Sequence, residues 1–246
     1  MVKIIPCLDV KDGRVVKGKQ FVAIKDVADP ELLAEYYSKA GADEMYFYDI
    51  TASSEGRRIS KAFSDQVAKK VSIPFGVGGG LSCLDDLEDI FARGASKASI
   101  NTGAIKNPDF LRAASERYGP EKIVLAVDIK KVGDRKWHVF LKGGQEDSGL
   151  DAMEWLRRGE ALGAGEMVIN SIDGDGTKDG YDLDLLQEVK KNVSVTTVAS
   201  GGAVKREDFL AAAKLGVDGL LAASVFHYKE IEIGELKKYL QAHGVG

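Results

Sequence analysis

The sequence has few of the features that mark secreted, membrane-spanning or nucleic-acid-binding proteins. It contains two cysteines and five prolines among 246 residues. No apolar segment approaches the roughly 20 residues of a membrane-spanning helix, and the first residues lack the small-residue cleavage site of a secretory signal. A formal net charge of −4 disfavours a general nucleic-acid binder, which needs a basic face. We therefore expect a cytoplasmic protein that binds neither membranes nor nucleic acid.

Cysteine and histidine are too scarce and too scattered to indicate a metal site. Cys7 and Cys83 lie in or beside strand-like segments and have no C-x-x-C partner. Buried thiols are therefore favoured over a disulfide or a metal site. His138, His227 and His243 lie far apart along the chain and in no ligand spacing, so we expect no bound metal ion.

What the sequence does contain is a regular alternation of short β-branched segments with amphipathic ones. Two of the helical segments begin with a capping residue and a proline, Asp29-Pro30 and Asn107-Pro108. Because strands that alternate with helices form parallel sheets, and eight such units fit about 250 residues, the pattern predicts a closed (β/α)₈ TIM barrel. The alternative is an open doubly wound sheet, but no glycine-rich dinucleotide motif follows the first strand. The predicted strands cover residues 4–9, 44–50, 73–78, 97–101, 122–128, 166–172, 195–200 and 219–224.

The two halves of the chain resemble each other at a spacing of about 120 residues. Asp9 and Asp128 follow the first and fifth predicted strands, and the glycine cluster after the third strand recurs after the seventh. We therefore predict one barrel domain over residues 1–246, built from half-barrels of about 1–120 and 121–246. In such a barrel each feature has a counterpart on the opposite side, at the same end.

Small and glycine-rich clusters directly follow the predicted strands, at the end of the barrel where active sites lie. Backbone N–H groups at such places can bind an anion, although a single glycine cluster is more often a tight turn. Because the clusters occur in two symmetry-related copies, the sequence predicts two phosphate sites on opposite sides of the barrel mouth. The predicted binding residues are Gly80, Asn101 and Thr102 on one side, Gly176, Gly202, Ala223 and Ser224 on the other, and Asp49 and Asp175 in neighbouring clusters.

Two acids end apolar segments. Asp9 ends the strand-like part of IPCLDVKDGRVVKG (5–18), which is predicted to continue as a polar loop, and Asp128 stands at the same point of VLAVDIKK. Either acid alone could be a helix cap or a structural hydrogen-bond partner. As a pair facing each other across a cavity, they favour acid/base catalysis, since a cyclisation or isomerisation needs one group that gives a proton and another that accepts one.

Eight segments are spread over nearly the entire chain: IPCLDVKDGRVVKG, YDITAS, VGGGL, SINTGAI, AVDIKK, SIDGDGTKDGYD, ASGGAVKREDF and LAASVFH. Together they closely resemble the cyclase subunits of imidazole glycerol phosphate synthases, which are phosphoribosyl-binding barrels of histidine biosynthesis. The resemblance implies a lyase that combines ammonia from a glutaminase subunit with a two-phosphate aminoimidazole-carboxamide ribonucleotide. The products are imidazole glycerol phosphate and aminoimidazole carboxamide ribonucleotide, and no metal or organic cofactor is implied.

The resemblance also assigns residues. It places the two catalytic aspartates on Asp9 and Asp128. It also identifies Lys17 with a loop lysine that could close over an anionic substrate. Four charges stand at or just before the starts of strands one, two, four and six. Taken separately they are ordinary solvated charges, but the resemblance implies a gate for ammonia that faces a docked glutaminase subunit. These residues are Lys3, Glu44, Lys97 and Glu166.

Several positions depart from the family pattern. The family usually has aliphatic residues in place of Tyr46 and Tyr48 and threonine in place of Gly76, and its sixth strand differs at Asn170. Alternation along strands predicts that all four face the barrel lumen. The changes fit a diverged cyclase, or a barrel whose pocket has been altered by divergence or design for other chemistry. A related phosphosugar isomerase and an inactive subunit that only stimulates a glutaminase are further alternatives, and retention of both aspartates disfavours the last.

Overall fold

The structure is a computed structural model that describes residues 2–11, 14–19, 22–50, 70–175 and 179–245, with only the backbone described for 17–19 and 22–28. The strands are β1 (Lys3–Lys11), β2 (Arg14–Lys19), β3 (Val22–Ala28), β4 (Met45–Asp49), β5 (Phe75–Gly78), β6 (Lys97–Ile100), β7 (Ile123–Gly133), β8 (Lys136–Leu141), β9 (Glu146–Asp151), β10 (Glu166–Ser171), β11 (Thr196–Ser200) and β12 (Gly219–Ala222). The helices are α1 (Pro30–Lys39), α2 (Leu84–Ala92), α3 (Thr102–Lys106), α4 (Pro108–Tyr118), α5 (Ala152–Ala161), α6 (Leu183–Asn192), α7 (Arg206–Lys214), α8 (Ser224–His227) and α9 (Ile233–Ala242). In the described parts of the chain, no helix is long and apolar enough to cross a membrane.

Eight parallel strands close into a barrel. Their order around the ring is β10-β11-β12-β1-β4-β5-β6-β7, and pairing between β7 and β10 closes it. The closing pair runs in parallel from Glu166 beside Val124 to Ser171 beside Ile129. This confirms the predicted (β/α)₈ TIM barrel, and each of the eight predicted strands contributes to it. An open doubly wound sheet is excluded because that sheet would have two unpaired edges.

The helices cover the outer face of the barrel, and local sequence explains where they begin. The Asp29 side chain accepts a hydrogen bond from the Glu31 amide at 2.9 Å, and Pro30 occupies the first turn of α1, as predicted. Asn107 stands at the N-cap position of α4 before Pro108, but its side chain makes no capping hydrogen bond.

Two segments differ from the prediction. β1 continues past Asp9 to Lys11, and Arg14–Lys19 form β2, which pairs antiparallel with β1, instead of a polar loop. Val15 and Val16 explain this strand, because both side chains are buried and β-branched residues favour extended structure. Between the predicted strands 122–128 and 166–172, β7 continues into a three-stranded antiparallel extension with β8 and β9. Cys7 is a buried thiol as expected, whereas Cys83 is only partly buried.

Strand alternation divides the buried side chains into an outer core and a lumen. Along β1, Ile4 and Leu8 belong to the core under the helices, whereas Ile5 and Cys7 belong to a separate cluster inside the barrel. Since side chains alternate with a period of two, Asp9 is the next residue of the lumen-facing row. The lumen cluster contains Ile5, Cys7, Tyr46, Val124, Val168, Val198 and Leu221, with Tyr48, Ala126 and Ala223 packed against it.

Candidate functional site

A cavity of about 460 Å³ opens at the carboxyl ends of the barrel strands. Its lining brings together ten of the residues predicted from sequence: Asp9, Asp49, Gly80, Asn101, Thr102, Asp128, Asp175, Gly202, Ala223 and Ser224. The side chain of Lys17 and the whole of Gly176 lie outside the described residues. The remaining four predicted residues lie at the other end of the barrel.

Asp128 is held by two amide side chains. Asn101 Nδ2 donates to Asp128 Oδ2 at 2.9 Å, and Asn170 Nδ2 donates to Asp128 Oδ1 at 2.8 Å. Ser200 Oγ in turn donates to Asn170 Oδ1 at 3.1 Å. Register explains the row, because Asp128, Asn170 and Ser200 stand side by side on the adjacent strands β7, β10 and β11. Both carboxylate oxygens are therefore fixed in direction.

Burial raises the pKa of Asp128 to about 6. The hydrogen bonds from Asn170 and Asn101 act in the opposite direction, and repulsion from the Asp175 and Asp9 charges adds to the increase. Desolvation of the charged form is thus the dominant effect. A carboxyl group that titrates this close to neutral pH can exchange a proton with a substrate efficiently.

Asp9 lies across the cavity from Asp128. Their strands, β1 and β7, are separated by four steps in the eight-stranded ring, so they are diametrically opposite. Asp9 is partly exposed, and the Cys7 thiol lies 3.8 Å from Asp9 Oδ1, within the range of a weak S–H donor. The two acids therefore occupy the same cavity in unlike surroundings.

The predicted phosphate-site residues are partly engaged with the protein. The Asn101 side chain donates to Asp128, and Thr102 Oγ1 accepts from the Lys142 amide in the β8–β9 turn at 3.3 Å. Gly202 has a φ of +100°, and a Cβ there would lie 2.1 Å from the Gly180 carbonyl oxygen. Glycine at this position thus has a backbone reason that is independent of any ligand.

Sequence reasoning did not place Asn170 or Ser200 in the site. Alternation along β10 predicts only that Asn170 faces the lumen, whereas its contact with Asp128 depends on which residues the closed barrel sets side by side. The polar residue Ser200 ends β11 in the same register, so the alternation rule could have found both once the strand pairing was known.

At the opposite end of the barrel, Lys3, Glu44, Lys97 and Glu166 form what we call the charged cluster. Lys97 Nζ lies 2.6 Å from Glu166 Oε2 and 2.8 Å from Glu44 Oε1, and Lys3 Nζ lies 3.2 Å from Glu44 Oε2. Burial alone would lower the pKa of Lys97, but the Glu166 and Glu44 charges and their hydrogen bonds outweigh it and raise the pKa above its usual value. Lys97 is therefore a cation bridging two buried carboxylates.

The Asn170→Ala substitution tests the electrostatic account of Asp128. Removing one donor to the carboxylate should raise the pKa of Asp128 by about one unit, because hydrogen bonds to charged groups contribute about 1.5–3 kcal/mol. A carbon-detected NMR titration of the Asp128 carboxyl group measures this directly. Ser200→Ala is the matched control, since Ser200 contacts Asn170 but has no described bond to Asp128, and should shift the pKa less. An unchanged pKa in Asn170→Ala would contradict the account.

Comparison with known proteins adds a second line of evidence. A family model described as "Histidine biosynthesis protein" matches residues 3–232. The chain is 46% identical to the imidazole glycerol phosphate synthase subunit HisF of Endomicrobium trichonymphae, over 99% of this chain and 94% of the relative. It is 48% identical to that of Oceanobacillus iheyensis, over 97% and 94% respectively. It is 49% identical to that of Clostridium botulinum, over 98% and 96%.

Proposed function

Because the chain belongs to the histidine biosynthesis protein family, among the cyclase subunits of imidazole glycerol phosphate synthase, we propose that Asp9 and Asp128 perform acid/base catalysis in its cyclase reaction. The proposed substrates are ammonia and a two-phosphate aminoimidazole-carboxamide ribonucleotide. The proposed products are imidazole glycerol phosphate and aminoimidazole carboxamide ribonucleotide. The observation that carries the proposal is the placement of both acids on opposite strands of one cavity.

The two acids lie in unlike surroundings, which suits one to remove a proton and the other to deliver one. Asp128 is buried, its pKa is raised to about 6, and its oxygens are held by Asn101 and Asn170. Asp9 is partly exposed at the other side of the cavity. Closure of an imidazole ring requires proton removal from nitrogen and proton delivery to a departing group, and a pair of carboxyl groups on opposite sides supplies both.

The proposed phosphate sites also lie opposite each other. Gly80 and Thr102 follow β5 and β6, whereas Gly202 and Ser224 follow β11 and β12, which are four steps away in the ring. A ligand with a phosphate at each end would therefore span the mouth and place its middle between the acids. Gly176 and Lys17 are proposed to complete this binding set.

We further propose that a glutaminase subunit docks at the amino-terminal end of the barrel, where the charged cluster controls the passage of ammonia. The charged cluster connects the surface with the interior. The Lys3 side chain is 44% exposed, whereas those of Glu44 and Glu166 are 2% and 4% exposed. An ion-paired cluster at this depth can separate solvent from the lumen, because its charged groups satisfy one another.

The direct test is an assay of the isolated chain with the two-phosphate ribonucleotide and ammonium salt at alkaline pH, where free ammonia is present. We expect both products to form only when ammonium is added. An isomerisation without ammonia consumption would favour the phosphosugar isomerase alternative. Absence of turnover, although the ligand binds, would favour an altered pocket or an inactive subunit, and the Asp9→Asn/Asp128→Asn double variant provides the background rate.

A further inference from the structure

Two tyrosines lie on the barrel axis between the cavity and the charged cluster. Tyr48 lines the cavity, and Tyr46 stands two residues before it on β4, in the same lumen-facing row and nearer to the amino-terminal end. Their rings stack with centroids 5.9 Å apart and planes inclined by 11°. The Tyr46 hydroxyl donates to Glu166 Oε1 at 2.5 Å, and the Tyr48 hydroxyl lies 3.0 Å from Ser99 Oγ. The pair therefore connects the floor of the cavity with the charged cluster.

The Tyr46 bond crosses the full width of the barrel. Tyr46 is on β4 and Glu166 is on β10, which are four steps apart in the eight-stranded ring and hence opposite each other. Burial raises the pKa of Tyr46 well above its usual value, and the nearby Glu166 and Glu44 charges add to that increase. The phenol stays neutral and remains a donor to Glu166. A side chain tied at both ends across the axis obstructs whatever travels along it.

Two glycines make room for these rings. Gly76 stands beside Tyr46 and Gly78 beside Tyr48 in the β4–β5 register. A Cβ on Gly76 would lie 2.3 Å from Tyr46 Cε1, and one on Gly78 would lie 2.6 Å from Tyr48 Cδ1. Real Cβ atoms do not approach carbon this closely, so each ring occupies the volume that a side chain on β5 would need.

Below the cavity, four lumen-facing side chains are fully packed. Ile5, Tyr46, Val124 and Val198 are between 0% and 1% exposed. Among the described residues, the cavity lining includes Cys7, Tyr48, Ala126, Val168 and Leu221 but none of these four. Closely packed side chains leave no void of molecular size, so the cavity ends above these four side chains.

We propose that Tyr46 is a closed barrier in the lumen, which must break its hydrogen bond to Glu166 and rotate before ammonia from the amino-terminal end reaches Asp9 and Asp128. This inference rests on the proposed function. Ammonia from solution enters by the open cavity mouth and does not meet the barrier. Glutamine-driven turnover is therefore limited by Tyr46, whereas ammonium-driven turnover is not.

The test is a paired substitution, Tyr46→Val with Gly76→Thr. It removes the ring that crosses the barrel lumen and adds a small side chain on the neighbouring strand β5. The three atoms nearest to a Cβ on Gly76 all belong to the Tyr46 ring, so removal of the ring makes room for the new side chain. In complex with the glutaminase subunit of an imidazole glycerol phosphate synthase, the ratio of glutamine-driven to ammonium-driven kcat should rise by about 10- to 100-fold, the rate equivalent of one broken hydrogen bond to a charged group. The ammonium-driven kcat should change by less than about twofold.

Tyr46→Phe keeps the ring but removes its hydrogen bond to Glu166, so this variant distinguishes the effect of the ring from that of the bond. It should raise the ratio less than the paired substitution, because the ring still fills the layer. An unchanged ratio in the paired variant would overturn the proposal. If the unsubstituted chain shows no ammonium-driven turnover, the proposed function fails instead, and the two failures are distinguishable.

Crystals under xenon pressure provide a test that needs no partner subunit, and its arm on the unsubstituted chain needs no folded variant either. Xenon binds to apolar voids inside proteins. We expect no xenon between Glu166 and Tyr48 in the unsubstituted chain and one site in the paired variant. Xenon density at the Tyr46 level of the unsubstituted chain would show an open lumen and overturn the proposal.

Discussion

Asp128→Asn and Asp9→Asn should each lower the kcat of the ammonium-driven reaction by about 10²–10⁴-fold, the usual contribution of a general acid or base. The KM for the ribonucleotide should change by less than about threefold, because asparagine preserves the shape of the cavity and the proposed phosphate contacts lie elsewhere. Steady-state kinetics at saturating ammonium measures both constants. Retention of more than about a tenth of the activity by both variants would refute the acid/base assignment.

A stability measurement shows whether a loss of activity in Asp128→Asn is chemical. The raised pKa of Asp128 means that the folded state holds this proton more tightly than the unfolded chain does. Ionisation of Asp128 therefore lowers the free energy of unfolding as pH rises from about 4 to about 6, and the full cost remains above that range. Asp128→Asn removes this cost and should stabilise the protein at pH 8, by about 3 kcal/mol at most.

The stabilisation expected for Asp128→Asn is an upper bound, because an asparagine at position 128 has one acceptor oxygen for the two donors, Asn101 and Asn170. Urea unfolding at pH 8 and at pH 4 tests the sign. We expect the stabilisation to be larger at pH 8, since at pH 4 the native Asp128 is already protonated. Destabilisation at pH 8 together with lost activity would indicate structural damage instead of the loss of a proton-transfer group.

Lys97→Ala should lower the free energy of unfolding at pH 8 by about 3–5 kcal/mol, the usual cost of leaving a buried charge without its partner. Lys97 bridges Glu166 and Glu44, which have almost no contact with solvent. Lys3→Ala is the matched control. Lys3 is half-exposed and paired to the same Glu44, so its removal should cost about 0–1 kcal/mol.

Lys97→Ala also tests whether ammonia passes through the charged cluster, as proposed. Assayed at a temperature where it is fully folded, Lys97→Ala should spare the ammonium-driven reaction. It should impair the glutamine-driven reaction or allow glutamine hydrolysis without product formation. Equal effects on both ammonia sources would show that the charged cluster is structural. Unfolding curves measured in parallel show whether Lys97→Ala is folded under the assay conditions, so that a loss of stability is not mistaken for a loss of ammonia transfer.

The sequence by itself determined the barrel and the ends at which the proposed functional residues lie. Strand alternation has a period of two, so Asp9 and Asp128 necessarily continue the lumen-facing rows begun by Ile5 and Val124. The same period sets Glu166 at the other end of the row that holds Asn170. These inferences needed only local periodicity and the rule that active sites of such barrels lie beyond the carboxyl ends of the strands.

Local reasoning was less successful where several structures suit the same residues. The segment after Asp9 is rich in charge and glycine, which is typical of a loop, yet Val15 and Val16 bury their side chains and make β2. The structure of this segment depends on the surface that the folded barrel offers to two valines, and composition alone contains no information about that surface.

Only the tertiary structure decided which polar groups meet. The bond from Asn170 to Asp128 depends on the register of the closing strand pair, and the bond from Tyr46 to Glu166 depends on the diameter of the closed ring. Both join residues that are far apart in the sequence and have no local pattern that relates them. A period of two assigns each side chain to a face and a layer, but its neighbours within that layer are fixed only when eight strands close with one common register.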